Sequence, residues 1–128
     1  MTRTPHVLII DNSVDHQVYR PVEHWTRHLQ VLWSVVRPVT GDWKAPLTDA
    51  THVIVTGSEA SICGDEPWIE QGCQRVAALA ERGVPILASC FGHQMVARAL
   101  LGSPDAGTGS PEARRGQGPA IQHCRLGK

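Results

Sequence analysis

The stretch that decides the fold reads Pro85-Ile86-Leu87-Ala88-Ser89-Cys90-Phe91-Gly92-His93-Gln94. Its first half is apolar, contains a branched side chain and follows Gly83, which is typical of a buried strand. Its second half opens a run of good helix formers that continues to Leu101. The sequence therefore predicts a strand that passes into a helix through a sharp turn at Cys90.

Small residues flank Cys90 on both sides of this turn. Ala88 and Gly92 let the chain double back sharply, which leaves the cysteine side chain exposed at the end of the strand. The following helix directs its free N–H groups and the positive end of its dipole at the sulfur, which favours the reactive thiolate. The pattern predicts an activated cysteine in a nucleophile elbow. The alternative is a buried structural cysteine in an ordinary turn.

The rest of the chain to Gly102 alternates strand and helix patterns. Apolar runs at residues 7–10, 31–36 and 52–56 predict three more strands, and the fourth covers residues 86–89. One amphipathic helix is predicted, beginning or kinking at Pro21, from the spacing of Val18, Val22, Trp25 and Leu29. A second helix is predicted between an Asp65 cap and Gly83, with a buried stripe formed by Ile69, Cys73, Val76 and Ala80.

This order of elements predicts the fold class. Apolar strands without alternation, in the order β-α-β-β-α-β-α, favour an open, mostly parallel α/β sheet with helices on both faces, a flavodoxin- or Rossmann-like three-layer fold. Ligands of such sheets bind at the carboxyl ends of the strands. Four polar or small residues fall at such ends: Asp11, Gly57, Ser58 and Cys90.

The composition changes after Gly102. Residues 103–128 contain five Gly and three Pro, but only Ile121 and Leu126 as large aliphatic residues. Such a segment cannot bury enough apolar surface to offset the entropy of ordering it. We expect one incomplete domain over residues 1–102, followed by a disordered or out-of-frame tail over residues 103–128. An incomplete parallel sheet presents an unpaired edge, so we also expect self-association.

Composition excludes several classes of function. The 12 basic and 12 acidic residues cancel, so there is no electrostatic case for binding nucleic acid or an anionic membrane surface. No apolar run approaches the length of a membrane span, and no signal-peptide core is present at the N-terminus, so a cytoplasmic location is predicted.

The four cysteines are few and irregularly spaced, and we expect them to be reduced thiols. Cys63 and Cys73 are expected to be packing residues because no elbow or helix start activates them. Cys90 and His93 make a poor metal pair, since no second pair stands at zinc-like spacing. No metal site is predicted.

Several motifs resemble those of class I glutamine amidotransferase domains, in the same order along the chain. Ala88-Ser89-Cys90-Phe91-Gly92-His93-Gln94 resembles the Gly-x-Cys-x-Gly-x-Gln signature, although glycine is commoner than alanine at the first position. Thr56-Gly57-Ser58-Glu59-Ala60-Ser61-Ile62 is similar to the glycine-rich oxyanion loop, and Asp65-Glu66-Pro67-Trp68-Ile69 to the segment that follows it. His6-Val7-Leu8-Ile9-Ile10-Asp11-Asn12 is similar to the first strand. Among the types of this family, these motifs most resemble the stand-alone type that is often labelled GMP-synthase-like.

The resemblance implies hydrolysis of the glutamine side-chain amide. Cys90 would attack the amide carbon to form a thioester, ammonia would leave, and water would release glutamate. The backbone N–H groups of Ser58 and Phe91 would hold the oxyanion, with Gly57 allowing the tight turn. Gln94 would help to hold the substrate. No cofactor is implied, and a synthase domain or a separate synthase chain would accept the ammonia.

The family's general acid/base is a histidine, oriented by a glutamate two residues later. No His-x-Glu follows Cys90 in this sequence, and the only histidine beyond the elbow helix is His123. His93 shares the helix with Cys90, but elbow geometry points it away from the thiol. We therefore expect little or no turnover unless another chain supplies the dyad. Two alternatives stay open: a non-catalytic degenerate α/β domain, and another cysteine hydrolase of the same superfamily such as a γ-glutamyl hydrolase.

Overall fold

The computed structural model describes residues 4–102 of the chain. The predicted tail over residues 103–128 lies outside the described residues. The described elements follow the predicted order, and they are β1 (His6–Ile10), α1 (Pro21–Thr26), β2 (Leu32–Val36), β3 (His52–Val55), α2 (Pro67–Glu81), β4 (Ile86–Ala88) and α3 (Phe91–Leu101). A short 3-10 turn, Pro38–Thr40, follows β2.

The four strands form one sheet in the order β2-β1-β3-β4. All three strand pairs are parallel, and Ile9 lies opposite both Val35 and Ile54. The carboxyl ends of β1, β3 and β4 therefore meet at one edge of the sheet. The predicted open, parallel α/β sheet is confirmed.

Alternate residues of the central strands supply two separate cores, one on each face of the sheet. On one face, Leu8, Ile10, Val53 and Val55 pack with buried residues of α2 and α3. On the other face, a smaller cluster of Val7, Ile9 and Ile54 is covered by Val22, Trp25 and Leu29. Both faces of the sheet are covered, as the unalternated apolar strands predict.

The first helix begins at Pro21, one of the two predicted possibilities, and ends at Thr26, before the predicted Leu29. The missing N–H of Pro21 is tolerated in a first turn. Val18 lies outside the helix and is 73% exposed, so its place in the apolar stripe is wrong. The turn before Pro21 is held instead by the N–H groups of Val18 and Tyr19, which both donate to the carbonyl of Asp15.

The second helix differs from the prediction in its cap and in its stripe. Glu66 occupies the cap position with Pro67 in the first turn, so Asp65 is not the cap. Leu79, 1% exposed, completes the buried stripe where Ala80 was expected. Gly83 ends the helix with a φ of +79°, a left-handed conformation that glycine adopts without strain.

Candidate functional site

Cys90 occupies the turn between β4 and α3. Its φ of 50° and ψ of −120° make it the only non-glycine residue within residues 4–102 with a positive φ. Such backbone strain costs roughly 1–3 kcal/mol and clusters at functional sites. The Cys90 side chain is exposed and its thiol is free. The structure thus excludes the alternative of a buried structural cysteine.

Gly92 allows this turn to pack against β3. A Cβ on Gly92 would overlap the carbonyl oxygen of Val55 and would come within 2.8 Å of the carbonyl oxygen of Thr56. The turn is closed by the Gly92 N–H, which donates to the Ser89 carbonyl at 2.8 Å. Any larger residue would push the start of α3 away from the sheet, and Cys90 with it.

The start of α3 lies directly beside the sulfur. Phe91 is its first residue, and the first N–H groups of a helix have no acceptor inside the helix. The Phe91 ring is buried against Trp68, with ring centroids 5.7 Å apart, so this residue can face the site only with its backbone. Gln94, one turn on, is half-buried, and His93 is exposed.

The structure brings Gly57 next to Cys90. Gly57 comes two residues after the end of β3, and a Cβ built on it would lie 3.5 Å from the Cys90 Cβ and 2.9 Å from the Tyr19 hydroxyl. Gly57 is not among the described glycines with a positive φ. Lack of space, and not the conformational freedom invoked for a tight turn, is therefore the reason for glycine here.

The loop after Gly57 is tied to the loop after β1. The Glu59 carboxylate accepts hydrogen bonds from the N–H groups of Val14 and Asp15, each at 2.9 Å. Partial burial would raise the pKa of Glu59, but the backbone N–H donors and the charge of Arg37 together lower the pKa below its ordinary value. Ser58 is half-buried, and its hydroxyl accepts from the Ala60 N–H at 3.0 Å.

Asp11 and Asn12 hold the base of the same loop. The buried Asp11 carboxylate accepts from the Ser13 N–H at 2.9 Å and lies 2.9 Å from the His16 Nε2. The Asn12 side-chain amide donates to the Thr56 carbonyl, just before Gly57, at 3.1 Å. Asp11 thus holds the β1 loop together, and Asn12 fixes this loop against the β3 loop.

Tyr19 is the site neighbour that sequence reasoning missed. Its hydroxyl lies 2.9 Å from the place of a Gly57 Cβ and comes from the loop between β1 and α1, where one of the two predicted possibilities has a kinked helix. The one signal in the sequence is that Tyr19 is the single tyrosine of the chain, which by itself predicts no role.

The remaining cysteines divide between two environments. Cys73 is buried, as expected, and burial raises its pKa to about 11. Cys63 is exposed and disulfide-bonded, so the expectation of a packed thiol is wrong there.

Within residues 4–102, no three His, Cys, Asp or Glu side chains are grouped to hold a metal ion. No described helix combines the length and apolar character needed to cross a membrane.

Known proteins resemble the chain in sequence and in fold. Gamma-glutamyl peptidase 4 of Arabidopsis thaliana is 29% identical over 82 residues, and one subunit of the glutamine-hydrolyzing GMP synthase of Methanothermobacter thermautotrophicus is 31% identical over 98 residues. A crystal structure of a glutamine amidotransferase from Thermotoga maritima superposes with a TM-score of 0.63 over 77% of the chain. The chain has a class I glutamine amidotransferase-like domain. No family model matches it.

This chain matches only part of the length of each of these relatives. The matches cover 62% and 75% of this chain, but 33% and 46% of the peptidase and the synthase subunit. The chain therefore spans less than half the length of these curated relatives. The T. maritima structure and a second glutamine amidotransferase structure, from Methylobacillus flagellatus with a TM-score of 0.59, are each 20% identical to the chain and share its fold.

Proposed function

We propose that Cys90 is the nucleophile of a glutamine side-chain amide hydrolase, presented by a nucleophile elbow. The observation that carries this proposal is the exposed thiol on a strained turn, at a residue whose Cβ lies 3.5 Å from the place of a Gly57 Cβ after the neighbouring strand. The backbone N–H groups of Ser58 and Phe91 form the oxyanion hole, and Gln94 helps to hold the substrate. The family likeness supports glutamine as the substrate.

The chemistry follows from these parts. The Cys90 sulfur bonds to the amide carbon, and the carbonyl oxygen becomes an oxyanion held by the two N–H donors. The carbon–nitrogen bond then breaks, and the nitrogen takes a proton to leave as ammonia. Water attacks the thioester, the carbon–sulfur bond breaks, and glutamate and the free thiol are released.

Two of these steps need a proton donor or acceptor. The sequence has no His-x-Glu after Cys90, and His93 is exposed on α3. We therefore propose that this chain supplies the nucleophile and the oxyanion hole, and turns glutamine over slowly unless another chain supplies the dyad. The name of the GMP synthase subunit supports a synthase partner as the acceptor of ammonia.

A second candidate is hydrolysis of a γ-glutamyl peptide bond, which the likeness to gamma-glutamyl peptidase 4 favours. The nucleophile and the acyl group are then the same, and an amine leaves in place of ammonia. A folded domain without catalysis is the non-enzymatic alternative.

An ester substrate separates the nucleophile from the missing dyad. In glutamate γ-4-nitrophenyl ester the leaving group departs without a proton, so thioester formation needs only Cys90 and the oxyanion hole. We expect a stoichiometric burst of nitrophenolate that Cys90→Ser abolishes, with little ammonia released from glutamine. Absence of the burst would refute the nucleophile. Steady, Cys90-dependent release of ammonia from glutamine would refute the slow turnover.

A further inference from the structure

Tyr19 lies where the two halves of the proposed site meet. A Cβ built on Gly57 would lie 2.9 Å from the Tyr19 hydroxyl and 3.5 Å from the Cys90 Cβ. Within the described residues, no acceptor for this hydroxyl is present. The phenol hydroxyl therefore lies near Cys90 and next to Gly57, the residue before Ser58, and it is free to donate a hydrogen bond.

The loop that carries Tyr19 is fixed to the site. Glu59, two residues after Gly57, holds the N–H groups of Val14 and Asp15, and the Asp15 carbonyl in turn accepts from the Tyr19 N–H at 3.0 Å. On the other side, the Arg37 guanidinium donates to the Val14 carbonyl at 2.8 Å. Tyr19 is thus held in register with the loop after Gly57.

The charges around Tyr19 keep its proton in place. Partial burial raises the pKa of the phenol, and the negative charges of Cys90, Glu59 and Asp11 raise it further. At neutral pH the hydroxyl is therefore a neutral hydrogen-bond donor.

We propose that the Tyr19 hydroxyl is a third hydrogen-bond donor to the oxyanion that forms when Cys90 attacks the substrate, beside the N–H groups of Ser58 and Phe91. The inference rests on the proposed function, and it makes Tyr19 a catalytic residue. Side-chain donors of this kind are worth most where charge develops in the transition state.

Tyr19→Phe tests this role, because the substitution removes the hydroxyl and keeps the ring. The burst rate constant with glutamate γ-4-nitrophenyl ester should fall about 100-fold. The rate of Cys90 alkylation by iodoacetamide should stay within about twofold of wild type, because alkylation forms no oxyanion. Val18→Phe, at an exposed neighbour in the same loop, is the matched control and should keep the full burst rate.

The outcomes separate the two proposals. A full burst rate in Tyr19→Phe would overturn the role of Tyr19 and leave Cys90 as the nucleophile. An equal loss of burst rate and alkylation rate would also overturn it, because the hydroxyl would then act on the thiol. Absence of any burst in the wild-type chain would overturn both.

Discussion

Crowding between Gly57, Tyr19 and Cys90 governs which side chains this part of the molecule accepts. The Tyr19 hydroxyl lies 2.9 Å from the place of a Gly57 Cβ, which is closer than such contacts normally come, whereas the Cys90 Cβ at 3.5 Å is in ordinary contact. Of these two neighbours, only the hydroxyl would therefore have to shift to admit an alanine at position 57.

This crowding predicts a compensating pair of substitutions. Gly57→Ala should lower the free energy of unfolding by about 1–3 kcal/mol in the wild-type chain, because the new methyl group overpacks against the hydroxyl. In the Tyr19→Phe background the same change should cost less than half as much. Urea unfolding of the four variants measures the coupling. Additivity to within about 0.5 kcal/mol would show that the hydroxyl does not lie over Gly57.

The buried thiol of Cys73 makes the free energy of unfolding depend on pH in the alkaline range. Its ordinary pKa of 9.0 applies to the unfolded chain, and burial raises it to about 11 in the fold. Between these values the unfolded state binds fewer protons, so the free energy of unfolding falls as pH rises, by up to about 1.4 kcal/mol per pH unit. Cys73→Ala should have a shallower decline between pH 9 and 11. Parallel curves for the two proteins would contradict this.

Two helical glycines at packed positions differ in what surrounds them. The Gly92 Cβ position is filled by backbone carbonyls of β3, whereas the Gly72 Cβ position on α2 is approached at 2.7 Å by the terminal methyl group of Met95. Backbone of a central strand cannot move without disturbing the sheet, and the end of a methionine side chain can.

Alanine at these two positions should therefore have unequal effects. Gly92→Ala should lower the free energy of unfolding by about 3 kcal/mol or more, because α3 must leave the sheet. Gly72→Ala should stay within about 1 kcal/mol of wild type, because the gain in helix propensity offsets the movement of Met95. Thermal and urea unfolding of both variants decide this, and equal losses would show that α3 is not seated on β3 as described.

The elements could be predicted because apolar runs and helical spacing are local signals. All four strands and the turn at Cys90 follow from the residues of each segment alone. The start of α1 at Pro21 was one of two predicted possibilities, and the spacing could not decide between them because Val18 also fits the helical pattern. Tyr19 could not be placed, because its contact with Gly57 depends on how two loops from neighbouring strands pack together. For the same reason, the sequence could not show that crowding by Tyr19 is what requires glycine at position 57.

At the scale of the whole molecule, the described sheet has two edge strands, β2 and β4. β4 pairs only with β3 among the described strands, and its Leu87 is 55% exposed beside Pro85 and Ile54 at a shallow apolar hollow. Unpaired apolar edges favour pairing with another chain. Because the apolar hollow borders β4, we predict that β4 is one of the edges through which the expected self-association acts.

Leu87→Lys should shift the chain toward monomer, because a lysine on an edge strand opposes edge-to-edge pairing. Sedimentation velocity over a range of protein concentrations measures the change. Val18→Lys, which adds the same charge at an exposed loop residue, is the control and should associate as the wild type does. A wild-type chain that is monomeric at every concentration would contradict the prediction.

The central claim is that this fold presents Cys90 to a glutamine side chain opposite two backbone N–H donors. The most direct measurement is peptide-resolved mass spectrometry after reaction with the chloroketone analogue of glutamine, in the presence and absence of free glutamine. We predict modification of Cys90 at least about tenfold faster than by chloroacetone, slowed by glutamine, while the buried Cys73 stays unmodified. Equal rates for the two reagents, with no protection by glutamine, would contradict the account.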